Sequence, residues 1–274
     1  MDHEKNLTAC IESMPSLPVS SAMAFRLCND YFTSPSDLIR LTSLDPVLLG
    51  RLFQLANSIF AKEGQLIDSP ARAIIILGMN TVKNLLLSLL PKSLIMEDKG
   101  NEHFDIYAFW QHSLGVAFTA SLFAKKRGMN YKAMENFFIA GFLHDIGKLL
   151  MLTAYPELKA EENSFGIDHC QSGELICKNW GLKKDISDVI VYHHLYIDYS
   201  GEHKDILLSI AASNYFVNSF NAGVLGSNKN DIFSGICNRL NIPEDVVYKM
   251  LCDTRETVKH ELERAEVYLK SAGL

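Results

Sequence analysis

The chain has 274 residues, of which 48% are apolar and 21% charged, enough for one large domain or two lobes around a substantial core. Its 26 Lys and Arg against 32 Asp and Glu leave a formal net charge of −6, which repels polyphosphate backbones. With no Lys/Arg run to form a local basic patch, nucleic acid is excluded as an expected partner.

The N-terminal stretch MDHEKNLTAC lacks a basic segment followed by an apolar one, so no signal peptide is expected. The most apolar stretch, 73–90, is broken by Gly78-Met79-Asn80 and Lys83-Asn84, which makes it a poor membrane span. A cytoplasmic protein without membrane contact is the expectation. The six cysteines show no CxxC spacing and sit in apolar or helical patterns, as reduced core thiols do.

Apolar residues recur at intervals of three and four throughout, and no convincing strand appears. Helices are predicted over 17–31, 36–44, 46–57, 70–77, 80–93, 104–127 and 131–152. Further helices follow over 168–180, 184–195, 203–220, 229–240 and 243–270. Asp45-Pro46 and Ser69-Pro70 each place a capping side chain before a proline at the first helical position, and Pro243 marks another start. Arg51 and Asn57 are expected to bond loop carbonyls near Ile67-Asp68-Ser69. The polar stretch Glu97-Asp98-Lys99-Gly100-Asn101-Glu102 reads as a junction. It divides an N-terminal lobe, 1–98, from a histidine-rich lobe, 103–274. The last helix is amphipathic with alternating charge, which suits either a solvated packing helix or a homodimer contact.

Chemistry concentrates in the second lobe. His112, His144-Asp145, His169 and the pair His193-His194 supply imidazole and carboxylate, the ligand types of zinc, iron and manganese sites. Asp145 lies within a strongly apolar run, Ala140-Gly141-Phe142-Leu143 to Leu149-Leu150-Met151. A carboxylate there needs a metal, a cation such as Lys148 or an imidazolium to offset its desolvation. Each histidine also has a plainer reading. His112 and His169 can be hydrogen-bonded structural residues, and His193-His194 can cap carbonyls at a helix end. His3, His103, His203 and His260 are assigned to solvent.

The phrase FLHDIGKL and the ordered series of histidines resemble the HD phosphohydrolase superfamily. Within it, the stretches DPVLLGRLFQLANS (45–58) and SPARAIIILG (69–78) are similar to the HDOD family, and the likeness runs from about residue 12 to about 220. That resemblance implies an all-α fold, with an HD-like helical bundle as the C-terminal lobe and a helical N-terminal lobe. It implies metal ligands at His112, His144, Asp145, His169, His193 and His194, with Lys148 as a phosphate-binding catalytic residue. The metal is iron, manganese or zinc, or is absent.

The superfamily's last ligand is an aspartate, and Asn214 stands in its place, which weakens a metal site. The GYP loop of the related phosphodiesterases is missing after His193-His194. The family's members are regarded as signalling outputs, so the expected role is a bacterial signal-transduction module that docks a signalling protein through a degenerate HD pocket. Two alternatives stand beside it: a metal-dependent phosphohydrolase, and a sensor that binds a metal or nucleotide.

Overall fold

A computed structural model describes residues 2–11, 13–14, 23–24, 27–28, 32–60, 66–83, 85–86, 106–155, 167–221 and 231–270. The described residues contain helices and no strand, as the periodicity predicts. The helices are α1 (Asp2–Ile11), α2 (Pro35–Thr42), α3 (Pro46–Phe60), α4 (Pro70–Leu77), α5 (Ile106–Lys126), α6 (Tyr131–Leu143) and α7 (Ile146–Ala154). They continue with α8 (His169–Trp180), α9 (Lys184–Tyr192), α10 (Lys204–Asn221), α11 (Asp231–Leu240), α12 (Glu244–Cys252) and α13 (Arg255–Lys270). The predicted helix 17–31, the far half of 80–93 and the junction 97–102 lie largely or wholly outside the described residues.

Local chemistry explains several helix starts. The Asp45 carboxylate accepts from the Val47 and Leu48 amides at 2.9 and 3.1 Å, capping α3 as expected. Ser69 departs from expectation: its side chain makes no cap, and the first turn of α4 is closed by the Ser69 carbonyl instead. Ser34 and Asp37 form a reciprocal capping box ahead of α2, and Asp168 and Gln171 form another ahead of α8. Helix α1 was not anticipated, because its sequence carries no cap signal and a mixed polar face.

Two predicted helices prove to be pairs. The 131–152 segment breaks at His144-Asp145, and the 243–270 segment breaks at Asp253-Thr254, where the buried Thr254 hydroxyl donates to the Leu251 carbonyl at 2.7 Å. The stretch Tyr131–Ala154 is apolar enough to pass for a membrane span, yet 78% of its apolar window is buried, as in a core segment.

The chain forms two compact units, and neither is a continuous stretch. Unit 1 comprises residues 1–106, 145–183 and 264–274; unit 2 comprises 107–144 and 184–263. This differs from the single division expected at 98–103. The reason is packing: α7 and α8 lie against each other and against α1, and α8 also meets α3, so the 145–183 segment completes the core of the N-terminal helices.

Leu7, Ile11, Leu52, Phe53, Leu150, Ile176 and Trp180 are fully buried in unit 1. In unit 2, α10 packs on α6, α9 and α11, and α11 meets α12, around Trp110, Leu114, Phe142, Val189, Leu207 and Val247. Each such side chain contributes roughly 1.5–3 kcal/mol by leaving water.

The conspicuous polar residues of the N-terminal motif hold unit 1 together. Asn57 donates to the Ile67 carbonyl and accepts from the Ile67 amide at 2.7 Å, and it also donates to the Gly181 carbonyl at 3.0 Å. Asp68 pairs with Lys183 at 2.6 Å. Arg51 donates to the Ile11 carbonyl at 2.7 Å and to Gln54 at 2.9 Å.

Candidate functional site

The His144-Asp145 dipeptide sits where one helix stops and the next begins. His144 is the C-cap residue of α6, and Asp145 follows with φ −103° and ψ 12°, between the helical and extended wells. Asp145 does not cap α7 with its side chain. Its carboxylate is thereby available to other partners, and the boundary between the two units falls on this same peptide bond.

In unit 1, the buried Asp145 carboxylate, 3% exposed, meets Lys148 Nζ at 2.9 Å and His169 Nε2 at 3.5 Å. The capping box at Asp168 makes His169 the first residue of α8. Gly147 then lets α8 approach: a Cβ at that position would lie 1.9 Å from the His169 carbonyl oxygen and 2.7 Å from the Gly173 amide. The glycine of the HDIGK phrase is therefore a requirement of close backbone packing.

In unit 2, the imidazoles of His112, His144, His193 and His194 form a chain of neighbours. Ring centroids lie 5.3 Å apart for His112 and His144, 5.1 Å for His144 and His193, and 4.2 Å for His193 and His194. His144 and His193 are 1% and 2% exposed, whereas His194 faces solvent. His193 is thus the inward member of the pair.

Both buried imidazoles are oriented in the same way. His144 Nδ1 lies 2.7 Å from the Gly141 carbonyl, and His193 Nδ1 lies 3.0 Å from the Ile190 carbonyl. A carbonyl oxygen can only accept, so Nδ1 carries the hydrogen in each ring and Nε2 of the neutral ring offers its lone pair. The two readings of the histidine pair, carbonyl cap and ligand, are therefore compatible: one nitrogen caps the helix end while the other remains a donor atom. This tautomer, held by a backbone carbonyl, is the usual arrangement of a metal-ligating histidine.

Lys148, expected to bind phosphate, is engaged with Asp145. Asn214 lies on α10 in unit 2, half-buried, and its side-chain oxygen accepts from Asn218 at 2.9 Å. His260 is exposed, as assigned.

His203 is not a solvent residue. It is half-buried, and its Nδ1 donates to Asp188 at 2.8 Å. Asp188, 5% exposed, also pairs with Lys184 at 2.6 Å and accepts from the Tyr199 hydroxyl at 2.6 Å. The signal for this cluster was present in Ile186-Ser187-Asp188-Val189-Ile190-Val191, a carboxylate in an apolar run like that around Asp145.

Comparison with known proteins agrees with this fold. A profile of the HDOD domain matches residues 14–196. The chain belongs to the HDOD domain family. A crystal structure of the MmoQ response regulator from Methylococcus capsulatus str. Bath superposes with a TM-score of 0.70 at 23% identity, covering 87% of this chain and 97% of that one. An HDOD domain protein with unknown function from Geobacter sulfurreducens gives 0.50 at 25% identity, covering 96% and 98%. A protein of uncharacterised role from Treponema pallidum (strain Nichols) is 24% identical over 221 residues, 74% of this HDOD chain. The chain spans 42% of that relative's length.

Proposed function

We propose that this HDOD protein is a signalling output module that docks a partner protein and holds a divalent metal without turning over a phosphate ester. The observation that carries this reading is the shared anchoring of His144 and His193, each held through Nδ1 by a backbone carbonyl, the orientation typical of metal-ligating histidines. His112, His144 and His193 of unit 2 would hold iron, manganese or zinc, with His194 as a further ligand implied by the family motif. A bound metal would supply Lewis acidity and a water of lowered pKa.

The residues around that chemistry favour binding over turnover. Asp145 is already neutralised by Lys148, and the same ion pair occupies the ammonium that would otherwise meet a phosphate. At 214 an amide, tied to Asn218, replaces the expected carboxylate, so the site lacks one compensating negative charge. A response regulator shares the fold, which suits an output role.

Metal analysis and calorimetry with Mn²⁺ test the first half, and a generic phosphodiester tests the second. The expected result is Mn²⁺ binding by the wild type with no turnover, and turnover gained in Asn214→Asp if the missing carboxylate is the defect. Hydrolysis by the wild type would turn the reading into the phosphohydrolase one. Negligible metal content, with thermal stability unmoved by Mn²⁺, would remove the metal and leave only the docking role. For that role, affinity capture from native lysate should return a specific signalling protein at physiological salt.

A further inference from the structure

We propose that Asp188 is a positioning residue for the His193 imidazole, acting as the clasp that closes the segment carrying the histidine pair. Its bearing on metal rests on the reading above; its bearing on the segment's order does not.

The clasp is visible in the contacts. Asp188 lies in α9, and His193 follows the end of that helix. The chain then makes tight turns, with the Leu195 amide donating to the Tyr192 carbonyl at 2.8 Å and the Asp198 amide to the Leu195 carbonyl at 3.1 Å. It returns at Tyr199 and His203, both of which donate to the same Asp188 oxygen, at 2.6 and 2.8 Å. One carboxylate thus fastens the far foot of the turn to the helix that forms its near foot.

Three further observations converge on Tyr199. Its hydroxyl accepts from the His203 amide at 3.3 Å, its carbonyl accepts from Arg239 at 3.0 Å, and its ring lies 5.3 Å from that of Tyr192. Gly201 leaves room for that hydroxyl: a Cβ there would lie 2.3 Å from it. The buried Asp188 charge is matched by Lys184 one turn earlier, so the clasp is electrically complete within unit 2. Meanwhile Leu195 and Ile197 are 58% and 53% exposed, so the turn's apolar anchorage comes from the buried Tyr196 and from Tyr199, which the clasp itself holds. Its order depends on the clasp.

The experiment compares wild type with Asp188→Ala, Asp188→Asn and Tyr199→Phe by amide hydrogen exchange and by Mn²⁺ calorimetry on the whole chain. Val247→Ala, a core truncation elsewhere in unit 2, serves as a control for general destabilisation. We expect Asp188→Ala to speed exchange over 193–200 by about tenfold or more beyond the control. Mn²⁺ binding should weaken by about tenfold, in line with other residues that orient metal-ligating histidines. Asp188→Asn and Tyr199→Phe, which each keep part of the clasp, should fall between. Wild-type exchange over 193–200 in Asp188→Ala, or acceleration no greater than in the control, would overturn the proposal. A wild type that binds no Mn²⁺ would sink the metal reading alone, and the exchange result would still decide the role of Asp188.

Discussion

Asp188 and Tyr199 show how a single buried hydrogen bond writes itself into the pH dependence of stability. Burial alone would raise the Asp188 pKa, but hydrogen bonds from His203, Lys184 and Tyr199 outweigh it and hold the carboxyl below its usual range. A group depressed in the folded state stabilises above its unfolded pKa of about 4, and that contribution is lost as pH falls through the folded value. Urea titrations between neutral pH and strong acid should therefore show an acid loss that Asp188→Asn lacks. The Tyr199 hydroxyl is shifted the other way, pushed up to about 12 by burial and by its bond to Asp188. Its contribution is complete below about 10 and disappears as pH climbs toward the folded value, so Tyr199→Phe should flatten the alkaline limb of the same curve. At the other end of the chain, Asp45→Ala removes a fully buried cap from α3 and should cost about 1–2 kcal/mol in urea denaturation.

Among the helices, the junction of α7 and α8 is the least forgiving. A methyl group at Gly147 meets backbone atoms, the His169 carbonyl and the Gly173 amide, which cannot swing aside as a side chain can. Gly147→Ala should therefore destabilise by about 3 kcal/mol, the upper end for overpacking, with the urea midpoint falling accordingly. The same contact brings His169 beside Asp145. Helix periodicity made α3, α4 and α8 legible in the sequence, because caps and prolines act within one turn. The break at His144-Asp145 was not legible: the flanking residues keep an unbroken helical pattern, and only the Asp145 backbone conformation ends it.

Over the whole molecule, ligand linkage gives the broadest test. If unit 2 holds a metal through its imidazoles, Mn²⁺ at a hundredfold above its dissociation constant should stabilise the protein by about 2.7 kcal/mol. Denaturation with and without Mn²⁺ should show that gain in the wild type, and His144→Ala or His193→Ala should abolish most of it. No gain in the wild type would count against any metal in the folded state.

The sequence alone determined the fold class, most helix starts and the chemical types gathered for a site, because each depends on residues within a turn or on a family motif carried by contiguous residues. Only the tertiary structure decided that 145–183 joins the N-terminal helices, that His193 turns inward while His194 faces water, and that His203 serves Asp188. Those outcomes follow from contacts beyond a single helix, where burial and hydrogen-bond geometry, not local propensity, choose the partner.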